Sequence, residues 1–231
     1  MTDSLQKYLA ELFGTFTLVF VGSTAIVSTR TQGESGFDVT VGLAFGLALL
    51  AGLFAFAELS GGHFNPVVSL AMVLDKRLDA KDLIPYWVAQ FAGAVLASLC
   101  VLIAFDQDSV AGTATLPGAQ GAGTALFLEL LATAVFVLVI LQSTKSERHG
   151  GMAVLAIPLT LAAAHFALIP QSGSSLNTAR SFGPALVGSE WSDFWVYVVG
   201  PTLGAVLGFV VYAIVSRPQP EVTKQEVKSS A

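Results

Sequence analysis

The sequence predicts an all-α membrane protein of six transmembrane helices and two shorter re-entrant half-helices, arranged as two inverted copies of one three-span unit. Three observations predict it. Of 231 residues, 54% are hydrophobic and 12% charged, where soluble chains carry about a quarter charged, and the mean hydropathy is +0.72. The apolar residues gather into six runs near the roughly 20 residues that cross a bilayer as a helix. Two polar breaks, "SGGHFNPVVSLAM" (60–72) and "SLNTARSFGPAL" (175–186), interrupt them at matching places.

Taken in order, the spans are expected near Tyr8–Ser28, Val39–Ala57, Leu83–Phe105, Thr124–Gln142, Met152–Ile169 and Asp193–Val215. The first is long and lacks a small-residue cleavage site, so it reads as a retained span rather than a signal peptide. Asn65–Val73 and Asn177–Gly188 are too short to span and follow Gly/Ser-rich breaks, so they read as half-helices. Irregular backbone at that depth survives only inside protein or along a water-filled cavity.

The halves repeat. "AELFGTF" (10–16) matches "LELLATA" (128–134), "FNPVVS" (64–69) matches "LNTARS" (176–181), and "AGAVLAS" (92–98) matches "LGAVLGF" (203–209), at offsets of 118, 112 and 111 residues. Three spans is an odd number, so the second copy enters from the opposite side, and the two broken segments meet near the midplane, where such folds place their solute site. Gly42/Gly46 and Gly200/Gly204/Gly208 read as helix-packing positions.

Lys7, Lys76, Arg77, Lys81, Lys145, Arg148, Arg217, Lys224 and Lys228 fall on one side of this topology and only Arg30 on a loop of the other, which puts both termini in the cytoplasm, with 216–231 as a tail there. A net charge of −5 with no clustered basic face excludes nucleic-acid binding. Cys100 is the only cysteine, so no intrachain disulfide or thiolate metal cluster is expected, and nothing calls for a cofactor.

The polar residues at depth carry the function. Asn65, followed by Pro66, and Asn177 are strong helix N-caps. Half-helices meeting by their N-termini bring two positive dipole ends to one spot and oppose cation passage, while the amides offer N–H donors to a passing oxygen. Arg180 is too costly in a bilayer unless it faces a cavity or a partner, the plain alternative being an ion pair with a glutamate. His165 adds a hydrogen-bonding group at the same depth or is a packed core residue. Glu11 and Glu129 occupy corresponding places, so a loop-bracing role, accepting hydrogen bonds from re-entrant backbone, is preferred over a proton relay.

These segments, with "AQFAGA" and "VGPTLGAVLG", fall in one order from Leu9 to Tyr212, and in it the chain resembles the aquaporins, or major intrinsic proteins. The resemblance implies an aquaporin-like right-handed bundle in the cell membrane, one pore per subunit, and a homotetramer. It maps the pore boxes onto Asn65-Pro66-Val67 and Asn177-Thr178-Ala179, and the selectivity filter onto Phe45, His165, Ser174 and Arg180. That filter, with Ser181 after the arginine and Ala185 beyond, resembles water-selective members; a facilitator for glycerol or another small neutral solute is the alternative. An intramembrane enzyme built on "SGSS" (172–175) and His165 lacks an acid, and a mere scaffold leaves Arg180 unexplained. Four positions depart from the family pattern: Val67 and Thr178 in the boxes, Glu58 where the loop before the first box is expected to hold a histidine, and Val198 in place of a tryptophan.

Overall fold

The computed structural model describes residues 3–31, 36–145 and 147–216. Arg217, Lys224 and Lys228, and with them almost all of the tail expected at 216–231, lie outside the described residues, as does the side chain of Arg148. The described chain forms α1 (Asp3–Thr31), α2 (Phe37–Ser60), α3 (Pro66–Leu74), α4 (Ala80–Ala104), α5 (Gln107–Ala111), α6 (Gly121–Ser143), α7 (Glu147–Ser172), α8 (Thr178–Gly188) and α9 (Val196–Val215). Six of these are long and apolar enough to cross a membrane. The spanning helices α1, α2 and α7 overrun the expected spans by several residues, because hydropathy marks the lipid-facing stretch and helical hydrogen bonding continues past it.

The short helix α5 is not in the sequence reading. Asp106 starts it, accepting a hydrogen bond from the Ser109 backbone N–H at 2.7 Å, which holds the Asp106 carboxyl below its ordinary range. Five residues in the loop between α4 and α6 show too little periodicity to be read from sequence.

Packing repeats across the two copies. Helices α1, α2 and α4 pack together as α6, α7 and α9 do, and α2 meets α7 across the centre. The half-helices reach into the other copy: α8 packs chiefly on α4 of the first, and α3 packs on α9 of the second as much as on α4 of its own. Close approach needs missing side chains at equivalent points. A Cβ on Gly93 would stand 2.3 Å from the Leu12 carbonyl oxygen, and one on Gly204 2.4 Å from that of Leu130. With lipid outside, such contact rather than hydrophobic burial drives helix association, and Phe54 and Ile103 accordingly project outward, 73% and 84% exposed.

The charges separate by end. Tyr8 bonds Asp82, Arg77 bonds Thr144 and the Leu141 carbonyl, and Lys145 bonds the Ser216 carbonyl, so Lys7, Lys76, Arg77, Lys81 and Lys145 share one end of the bundle. Arg30 is at the other, on the Gly112 carbonyl. Trp191 and Trp195, each about half exposed there, suit an interfacial aromatic belt.

Candidate functional site: a pore between two opposed half-helices

Asn65 and Asn177 start α3 and α8 in corresponding ways. The Asn65 Oδ1 accepts from Val67 N at 3.0 Å, and the Asn177 Oδ1 from Ala179 N at 3.0 Å and Arg180 N at 3.2 Å. Each amide nitrogen then reaches across: Asn65 Nδ2 donates to the Leu176 carbonyl at 2.8 Å, and Asn177 Nδ2 to the Phe64 carbonyl at 2.9 Å. An amide NH₂ has two donors, so one on each asparagine ties the half-helices together and one is left over.

The loops entering the half-helices hang on the two buried glutamates. Glu11 Oε1 accepts from Ser60 Oγ at 2.6 Å and His63 N at 2.9 Å; its Oε2 accepts from Phe64 N at 2.6 Å and Gln90 Nε2 at 2.7 Å. Glu129 Oε1 accepts from Ser172 Oγ and Ser175 N, and Oε2 from Leu176 N, all at 2.8 Å. A tyrosine completes each frame, Tyr86 donating to the Ser60 carbonyl and Tyr197 to that of Ser172, both at 2.8 Å. Ser60, Ser172, Tyr86, Tyr197 and Gln90 were not expected from sequence, although the first four sit at the repeat offset and that register is the signal that finds them.

Three cavities lie in series. A wide vestibule of about 560 Å³ borders Arg30, Phe37, Val41 and Arg180. Beyond it a constriction of about 20 Å³ is lined by Phe45, His165 and Arg180 together with Asn65, Asn177, His63 and Ser175. His63 also borders a third cavity of about 180 Å³ toward the lysine-rich end, whose walls are Leu49, Leu53, Met72, Phe136 and Ile157. His63 and Ser175 are thus further pore residues that sequence reasoning did not single out.

At the constriction, the Phe45 and His165 ring centroids are 4.6 Å apart, and the Arg180 guanidinium carbon lies 4.8 Å from the Phe45 ring centre. His165 Nδ1 is tied to the Leu161 carbonyl at 2.9 Å, while its Nε2 is buried with no partner. Arg180 Nη1 donates to the Thr115 hydroxyl, which also bonds Ser181; Arg180 Nε is buried and unpartnered. Among the described residues the ion pairs are Arg77–Asp75 and Lys81–Asp79, so Arg180 is not paired with a glutamate. The Phe45 ring occupies the space where a side chain on Gly22 would stand, a Cβ there falling 2.2 Å from two ring carbons.

Ser174 is buried beside the wide vestibule's Gly173, with its hydroxyl unpartnered; Ser175, not Ser174, borders the narrow cavity. Val67 packs into the main apolar core, and Ala179 packs with Val19, Ala94 and Ala97. Glu58 is not on the loop before the first box: α2 runs on to Ser60, Glu58 is exposed in its last turn, and the histidine of that loop is His63.

Thr178 and Val198 explain each other. In the first copy Trp87 of α4 donates its indole N–H to the Pro66 carbonyl at 2.9 Å. The place of Trp87 is taken in α9 by Val198, 111 residues on, which has nothing to donate. Instead the Thr178 hydroxyl donates the other way, to the Tyr197 carbonyl at 2.9 Å. That carbonyl needs a donor, because its helical partner four residues on is Pro201, which has no N–H. Thr178→Val is therefore expected to destabilise the fold by about 1–3 kcal/mol, the cost of an orphaned buried acceptor, and by clearly less in a Pro201→Ala background, where α9 supplies the missing donor. Thermal unfolding of the four proteins in detergent measures this; equal losses in both backgrounds would contradict the pairing.

Comparison with known proteins agrees with this architecture. The family model described as "Major intrinsic protein" matches residues 1–212. Among similar proteins, "Glycerol uptake facilitator protein-like 6" of Lactiplantibacillus plantarum is 42% identical over 88% of this chain and 94% of its own length. Aquaporin Z of Brucella melitensis is 40% identical over 90% of this chain and 96% of its own. The X-ray structure of the aquaglyceroporin from Plasmodium falciparum superposes with a TM-score of 0.81, covering 98% of this chain and 100% of that one at 24% identity, a likeness of fold. With six membrane-crossing helices, two opposed half-helices and a family match over nearly its whole length, the chain belongs to the major intrinsic protein family, the aquaporins, and is a multi-pass membrane channel rather than an enzyme.

Proposed function

We propose that this channel is selective for water, conducting it down osmotic gradients while excluding protons and ions. The observation that carries the reading is the constriction. A cavity of about 20 Å³ holds about one water molecule, which needs roughly 10–15 Å³, and it lies between two vestibules many times larger. Glycerol is too bulky for it. The unpartnered His165 Nε2 and Arg180 Nε and the spare asparagine N–H groups give a water replacement hydrogen bonds along the narrow path. The Arg180 charge and the two converging half-helix dipoles repel hydronium.

In this reading Phe45, His165 and Arg180 form the filter at the constriction with Ser174 on its vestibule side, and Glu11 and Glu129 hold the loops. The lysine-rich end faces the cytoplasm with both termini, the membrane is the cell membrane, and the subunits assemble as the homotetramer that the family resemblance implies. A second reading is favoured by the 42%-identical relative named as a glycerol uptake facilitator, a role that needs a bore wider than this one.

Stopped-flow light scattering on proteoliposomes separates the two. Water flux well above that of empty liposomes is expected, with glycerol-driven swelling no faster than theirs. Glycerol swelling at a rate comparable to water would overturn water selectivity in favour of the facilitator.

A further inference from the structure

We propose that the groove between the end of α3 and the end of α9 is a binding site for an anionic glycerophospholipid. It encloses about 320 Å³ and has two unlike walls. Leu74, Phe209 and Ala213 make an apolar floor continuous with the outward face of α9, where Val210 and Ile214 are 44% and 62% exposed. Lys76 and Lys145 close it at the lysine-rich end.

The cations are brought together by the fold, since residues 76–77 follow α3 and residue 145 follows α6. Both Arg77 and Lys145 lie over the ring of Tyr212, each 5.8 Å from its centre. Lys145 is held by its bond to the Ser216 carbonyl at 2.9 Å, and Ser216 in turn donates to Gln142 at 2.6 Å. The Arg77 donors are committed to Asp75, Thr144 and the Leu141 carbonyl, which also neutralises Asp75, the one acid in the groove wall among the described residues. The Lys76 ammonium and the two remaining Lys145 donors are left to face an anion. Lys76 reaches that place in the left-handed region, φ 61°, where glycine is the usual residue after a helix end; the turn presents a lysine instead.

A phosphate between two ammonium groups, with an acyl chain along an apolar floor opening to lipid, is the pattern of an anionic lipid site on a membrane protein. A soluble anion has no use for the floor, and a zwitterionic lipid carries a choline that the lysines repel. The site is separate from the pore and does not rest on its selectivity.

The test uses the full chain in neutral detergent, with lipid binding read by native mass spectrometry for dioleoyl-phosphatidylglycerol and dioleoyl-phosphatidylcholine. The phosphatidylglycerol is expected to bind roughly ten- to thirtyfold more tightly, the increment of two lysines at a membrane surface. In the Lys76→Gln/Lys145→Gln variant the two lipids should bind within about twofold of each other, while Lys7→Gln/Lys81→Gln keeps the preference. Retained water flux in the first variant shows that it is folded. Equal binding in the native chain, or a preference surviving in Lys76→Gln/Lys145→Gln, would overturn the site. So would displacement of the phosphatidylglycerol by millimolar inorganic phosphate, which would make the groove a phosphate site, or a preference that emerges only when residues 217–231 are removed, which would make it the seat of the chain's own tail.

Discussion

Replacing Arg180 by valine together with His165 by alanine is expected to turn the channel into one that passes glycerol and leaks protons. The two side chains, with Phe45, bound the cavity of about 20 Å³, and removing both opens it to the vestibule of about 560 Å³ that Arg180 also borders. The charge matters as much as the space. A unit charge about 5 Å from a passing hydronium raises its energy by roughly 3 kcal/mol at an effective dielectric of about 20, or about two decades in rate. The half-helix dipoles stay, so the leak should fall short of an open pore. Glycerol swelling and the decay of a pH gradient in dye-loaded proteoliposomes report the two effects. A double variant that folds and keeps the native selectivity would remove Arg180 and His165 from the filter.

Glu129→Leu should cost the fold itself. It leaves the buried Ser175 N and Leu176 N without an acceptor, at about 1–3 kcal/mol each, and Ser172 Oγ with only its 3.5 Å contact to the Leu168 carbonyl, against a net stability of roughly 5–15 kcal/mol for a folded domain. Little monodisperse protein is expected on size-exclusion chromatography. Glu129→Gln keeps one acceptor oxygen and the shape, so it should fold at a lower unfolding temperature and conduct water at the native rate. A proton-relay role makes the opposite forecast for the glutamine variant: intact stability and an altered proton flux. Glu11, with four donors on its carboxylate, should be still less tolerant of leucine.

The spans were legible because lipid imposes one requirement on every residue of a helix, and hydropathy sums it over about 20 positions. The half-helices and their asparagine caps were legible because capping is local chemistry, written within three residues of Asn65 and Asn177. What escaped is what only the fold assembles. Thr115 stands 65 residues from Arg180, and Tyr86 meets the Ser60 carbonyl across 26 residues. Glu58 was misplaced by a few residues because the end of α2 carries no sequence signal beyond Gly61, which takes φ 90° just after the last turn. Thr178, which looked like a lost proline beside Asn177, leaves the amide in place: the two bonds that Asn177 shares with Asn65 agree within about 0.1 Å, and Asn177 takes a further one from Arg180 N.

Gly22 touches no solute, yet it fixes how far the Phe45 ring can withdraw from the opposing histidine and arginine, since that ring rests in the volume of an absent methyl group. The gauge of the channel is therefore set partly from behind. Two chains with the same four filter residues can differ in bore if one of them carries alanine in α1, and a change of permeant solute can arise at a position that no inventory of pore-lining residues contains.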